Sequence, residues 1–125
     1  MTEISLFNKE GNQKLKELRE ALYEERLNPE DLLNEFPRLR TLLWSYDPVQ
    51  IETADFQLQF ENFKLFAEVL DLFLCVVERR PLEPRSSADY GEIARKLLNK
   101  DTNTFLVLGK RFEKAISDLR SQFEQ

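Results

Sequence analysis

The sequence predicts an all-α protein, a bundle of five or six helices packed around one long apolar helix. Three observations carry that prediction. First, the stretch from Phe56 to Val77 is apolar over most of a helical circumference. Second, the flanking segments show apolar residues at alternating spacings of three and four, the period of an amphipathic helix. Third, helix-start signals recur, with Asn, Asp or Ser at capping positions and proline at first-turn positions, and no strand alternation, internal repeat or low-complexity tract appears.

At 125 residues the chain is most simply one domain spanning 1–125, long enough to bury a core without disulfides or metals. Residues 1–7, MTEISLF, are expected to form an N-terminal arm whose Ile4, Leu6 and Phe7 are able to dock on the bundle. A first helix starts from a cap at Asn8 or Asn12 and runs to about Leu27, with Leu15, Leu18 and Leu22 on one face. The second follows a clear boundary. Asn28 precedes Pro29 at the first helical position, and Glu30 and Asp31 fill the first turn, where the positive end of the helix dipole favours acids. Its inward stripe is Leu32, Phe36, Leu39 and Leu43, with Tyr46 beyond. Pro37 interrupts this stripe without changing its phase, so a kinked helix and two abutting helices both fit.

Asp47-Pro48-Val49-Gln50 repeats the start signal, and we expect the central helix to begin there and continue to about Arg79. The alternative is a break near residue 55, with Thr53 or Asp55 capping a fresh start at 56. Within this helix Phe56, Phe60, Phe63, Ala67, Leu70, Leu74 and Val77 form one seam, and Leu65, Phe66, Val69, Leu72, Phe73 and Val76 widen it. Only a narrow stripe through Glu61, Lys64, Glu68, Asp71 and Glu78 is largely polar. Such a helix must be covered on several sides. Residues 79–87, with Pro81, Pro84 and three arginines, form the one long loop. Ser87 or Asp89 then caps a helix to about Asn99. Asp101-Thr102-Asn103-Thr104 opens the last helix, which carries Phe105, Leu108, Phe112, Ile116, Leu119 and Phe123 inward. Gly109 in its interior costs about 1 kcal/mol relative to alanine and marks either a close approach of another helix or a tolerated weakness.

Composition excludes most catalytic chemistry. There is no histidine and one cysteine. The commonest general base, the Ser–His and Cys–His nucleophile systems, and a cysteine-ligated zinc site within one chain are therefore ruled out. Three glycines at 11, 91 and 109 are too scattered for a phosphate-cradling loop. Cys75 falls in line with the polar stripe and is expected to be a partly exposed apolar filler. Glu17, Glu20 and Glu24 share a face that reads as solvated surface. No catalytic residue, metal or cofactor is expected, and the protein is read as non-enzymatic. The longest unbroken apolar run, Leu72 to Val77, is far short of the roughly 20 residues of a membrane span, and no basic, apolar leader opens the chain. A cytoplasmic protein that does not enter membranes is the expectation.

What remains is binding. The net charge of −5 is uneven: residues 1–54 hold 11 acids against 7 bases, residues 55–78 hold 5 against 1, and residues 79–125 hold 7 against 10, a surplus of 3 bases. Three features suit a protein partner: the arginine loop of Arg79, Arg80 and Arg85; the aromatic pair Trp44 and Tyr46 at a helix end; and two long apolar seams, one of which a homodimer would bury. The expected function is an accessory, adaptor or regulatory subunit that binds another protein and self-associates. The alternative is a small subunit of a nucleoprotein assembly, touching nucleic-acid backbone through Lys110, Arg111 and Lys114. Against it stand the acidic whole and the absence of a recognition-helix pattern.

Overall fold

In a computed structural model, which describes residues 4–53, 55–82 and 87–124, the chain folds into five α-helices and one 3-10 turn. The order is α1 (Lys9–Tyr23), α2 (Pro29–Trp44), the 3-10 turn at Gln50–Glu52, α3 (Phe56–Val77), α4 (Ser87–Leu98) and α5 (Thr102–Phe123). No strand occurs among the described residues. Helix α3 touches all four others, most extensively α1 and α4, while α2 and α5 pair with each other and close the bundle. One hydrophobic cluster draws residues from every helix, from Leu15 through Leu42, Phe73 and Ala94 to Leu119. At its centre Phe112 stacks on Phe36 with ring centroids 5.5 Å apart, and Phe73 lies 5.9 Å from Phe112.

The helix starts follow the capping residues. Asn8 accepts from the Gly11 amide, Asp55 from Leu58 and Asp101 from Thr104. Asn28 and Asp31 form a reciprocal capping box, each side chain bonded to the other's backbone amide at 2.8 and 3.1 Å. Pro37 is accommodated inside α2, so one helix and not two abutting helices is realised. Three expectations are corrected. The central helix does not begin at Pro48: a 3-10 turn intervenes, and the Asp55 cap starts α3 afresh, giving a helix of about 33 Å at 1.5 Å per residue. Helix α1 stops at Tyr23, not at Leu27. Cys75 is buried, 3% exposed, because neighbouring helices cover the edge of the polar stripe where it sits.

The early stop of α1 has a common cause with two other helix ends. Helices α1, α3 and α4 each close with a residue in the left-handed region, Glu25 (φ 54°), Arg79 (φ 57°) and Lys100 (φ 63°). Each following amide reaches back five residues: Arg26 to the Ala21 carbonyl at 2.9 Å, Arg80 to Cys75 at 2.8 Å, and Asp101 to Lys96 at 3.0 Å. These are Schellman closures built without the glycine that usually marks them.

The N-terminal arm docks. Leu6 is 2% exposed, and Phe7 meets Phe63 edge-on at 5.8 Å. A polar pair on the central helix, Gln59 and Asn62, is fully buried, and Asn62 holds the arm. The Asn62 amide donates to the carbonyls of Leu6 (3.1 Å) and Asn8 (3.0 Å), and its oxygen accepts from Asn12 at 2.8 Å. The Gln59 amide donates to Ile51 in the 3-10 turn at 3.5 Å. Gly11 permits the arm's close approach, since a Cβ there would fall 1.7 Å from the Ser5 carbonyl oxygen. Both polar residues were legible in hindsight. Positions 59 and 62 continue the stripe of Phe66, Val69, Phe73 and Val76 at the same alternating spacing, so polar side chains there had to be buried; Asn62 finds partners for both ends of its amide, whereas the Gln59 oxygen has none among the described residues.

Candidate functional site

The residues singled out for binding fall in different environments. Tyr46 belongs to the core: it is 9% exposed, stacks on Phe105 at 4.6 Å, and donates its hydroxyl to the Leu97 carbonyl at 3.1 Å. Burial raises the pKa of that hydroxyl, and the nearby Asp101 charge adds to the effect. The ring fastens α2 to α4 and α5 and offers nothing to a partner. Arg79 supplies the left-handed closure of α3, and its guanidinium reaches Gln122 on α5 at 3.5 Å. Arg80 pairs with Glu78, two residues away. Both side chains are exposed but engaged locally; Arg85 lies outside the described residues.

Trp44 is different. It is the only tryptophan of the chain, and its side chain is 66% exposed at the last turn of α2. Helical phase explains this. Leu42 and Leu43 point inward with 0% and 3% exposure, and residue 44 is the next position round, turned outward. Three concave surfaces meet at the indole. The most apolar is a groove of about 340 Å³ between the end of α2 and the first half of α5. Leu43, Phe105 and Gly109 form its floor, Trp44 and Leu106 its walls, and Lys110 and Glu113 its rim. Leu106 is 56% exposed and Val107, beside it, 49%. The second surface, of about 770 Å³, lies on the other side of the indole against Phe36, Arg38, Arg40 and Arg120. Arg40 and Arg120 both lie over the Phe36 ring, 4.8 and 5.4 Å from its centroid.

The basic residues of α5 do not act as one group. Arg111 turns towards the central helix and meets Asp71 at 3.5 Å. Lys110 and Lys114, one turn apart, are exposed and make no ion pair with any described residue. Glu113, between them in sequence, is held across the rim by Arg40 in a forked pair at 3.2 Å. Structure thus brings Trp44 and Lys110, assigned by sequence to separate binding modes, onto one groove. Phe105, Leu106 and Gly109 complete it, and none of them had been read as a surface residue. The signal for Leu106 and Val107 was present: both are apolar yet out of phase with the Phe105–Leu108–Phe112 stripe.

Among the described residues, no group of three or more His, Cys, Asp or Glu is placed to hold a metal ion. Glu52 and Glu61 are held below the usual carboxylate range, chiefly by a side-chain hydrogen bond with Lys100 and with Asn12 respectively. Both effects come from local structural contacts. No described helix is long and apolar enough to cross a membrane. Comparison with known protein families, characterised proteins and solved structures finds no match.

Proposed function

We propose that this chain is a non-enzymatic accessory or adaptor subunit that binds another protein through the groove beside Trp44. A single observation carries the reading: the one tryptophan stands two-thirds exposed on the wall of an apolar groove. Tryptophans that anchor interfaces sit in this way, with a large rigid surface beside a pocket that excludes water. Most residues of the two seams that suggested self-association are covered within the chain, while their outer members Phe56 and Phe123 are 62% and 49% exposed. In the central seam Phe63, Ala67, Leu70, Leu74 and Val77 are buried, as are Leu108, Phe112, Ile116 and Leu119 of the last. We take the partner to be a different protein, with Lys110 and Lys114 of α5 as part of its docking surface.

The test is to compare the wild type with Trp44→Ala in quantitative affinity purification from the native cell. Trp44→Ala is expected to melt within about 2 °C of the wild type, because an exposed side chain contributes little to folding, and to lose a protein that the wild type retains. An unchanged set of retained proteins, or a large fall in melting temperature, would overturn the proposal.

A further inference from the structure

Resting on that reading, we infer that the Trp44 groove is shaped for an acidic amphipathic helix, one that inserts an apolar side chain over Gly109 and sets its carboxylates against Lys110 and Lys114. Gly109 supplies the first argument. A glycine inside a 22-residue helix is a standing cost, and packing within the chain does not call for it. A Cβ built there meets only Leu43, at an ordinary 3.9 Å. The space that glycine leaves open belongs to the groove, whose floor it forms. A volume of about 340 Å³ accepts one or two large side chains, as a helix laid between two helices would present at i and i+3 or i+4.

Charge supplies the second argument. The molecule carries a net −5, yet this rim is basic. The one acid lining the groove, Glu113, is already neutralised by Arg40. Lys110 and Lys114 make no ion pair with any described residue, and Arg120 borders the surface across the indole, where Arg38 and Arg40 are paired with Glu35 and Glu113. Carboxylates flanking an apolar anchor complement this pattern, and a basic partner is repelled by it. A nucleic acid would find the same cations. The groove itself, however, is lined by aliphatic and aromatic side chains with charge only at the rim, which suits an inserted side chain better than a phosphate backbone.

The test is selection of a helical-peptide display library, with apolar residues fixed at i, i+3 and i+7 and flanking positions free, on immobilised full-length protein. Enriched peptides and an oligothymidylate are then titrated against the Trp44 fluorescence, which reports the groove directly. Expected are peptides rich in Glu and Asp that shift the emission to the blue. Gly109→Leu, which fills the floor, is expected to abolish the shift while the protein still melts cooperatively; Gly109→Ala, a smaller filler, should weaken it and covers the case in which leucine disturbs folding. Lys110→Glu with Lys114→Glu should weaken acidic peptides about tenfold or more and turn selection towards basic ones. Groove-dependent peptides without acidic bias would overturn this inference and leave the protein-binding reading standing. Enrichment of nothing that Gly109→Leu or Trp44→Ala abolishes would overturn both. Quenching by the oligothymidylate alone, lost in moderate salt, would replace the peptide with a nucleic acid.

Discussion

Asn62 shows how much one side chain can decide. A fully buried amide on the central helix satisfies the carbonyls of Leu6 in the arm and Asn8 at the α1 cap and one side chain of α1, joining the N-terminus of the chain to a helix some fifty residues on. Removing it leaves polar groups buried without partners, which costs about 1–3 kcal/mol each where water cannot replace the bond. Asn62→Ala is therefore expected to lose roughly 2–3 kcal/mol in urea unfolding and to speed amide exchange at Leu6 and Phe7 selectively. Uniform exchange along the chain would show that the arm is held by its apolar contacts instead. Trp44 and Gly109 present the opposite case. Both are locally unfavourable choices, an indole left in water and a glycine inside a helix, and the fold gains from neither. Gly109→Ala should stabilise the protein by up to about 1 kcal/mol by the difference in helix propensity, as measured by thermal unfolding. A loss of stability would mean that α2 and α5 need the glycine after all.

Among the elements, starts and stops behaved differently. The starts of α1, α2, α3 and α5 each carry a capping side chain of the kind local chemistry predicts, because a cap satisfies amides within its own first turn. The stops of α3 and α4 fall within two residues of the expected Arg79 and Asn99, but the stop of α1 was not marked, and at all three Glu25, Arg79 and Lys100 take the left-handed conformation without being glycine. That conformation costs an L-residue about 1 kcal/mol or more, offset by the backbone hydrogen bonds that close each helix end. Glu25→Gly is expected to relieve the strain and raise the stability by about 0.5–1 kcal/mol, net of the extra entropy of an unfolded glycine; a fall would show that the Schellman closure is not the controlling feature of this end. The start of α5 makes a pH-dependent contribution. The backbone amide of Thr104, and then its hydroxyl, hold the Asp101 carboxyl below its ordinary range. A carboxyl depressed in the folded state binds fewer protons folded than unfolded. Its contribution is thus complete above the unfolded pKa of about 3.9 and disappears as pH falls through the folded value. Asp101→Asn keeps an acceptor without the titration. Its urea midpoint should fall less steeply than that of the wild type between about pH 5 and pH 3; parallel curves would place the acid sensitivity elsewhere.

For the whole molecule, the one long apolar helix determines the architecture. Helix α3 has buried residues on nearly every side and contacts every other helix, so no rearrangement of the bundle exposes it cheaply. Leu70, 3% exposed, is a stringent probe. Leu70→Asp sets an unpaired carboxylate in the core and should abolish cooperative unfolding in circular dichroism. A soluble, sharply melting variant would contradict the central placement of α3. The apolar seams of α3 and α5, their caps and the order of helices were legible because periodicity and capping are local properties. The groove was not. Its walls come from residues 43–44 and 105–113, some sixty positions apart, and its apolar members look like core in a linear reading.

The sequence by itself therefore determined that this is an all-α chain, where its second and last helices begin, and which long helix lies at the centre, since spacing at three and four residues dictates which faces seek cover; the start of that central helix it misplaced. It also removed histidine and thiolate-cluster chemistry by composition. Only the tertiary structure decided which apolar residues remain uncovered. Tyr46 and Trp44, two positions apart and equal candidates in sequence, part company because α4 and α5 close over one ring and leave the other in water. Exposure depends on what packs from distant parts of the chain, and no local pattern encodes that.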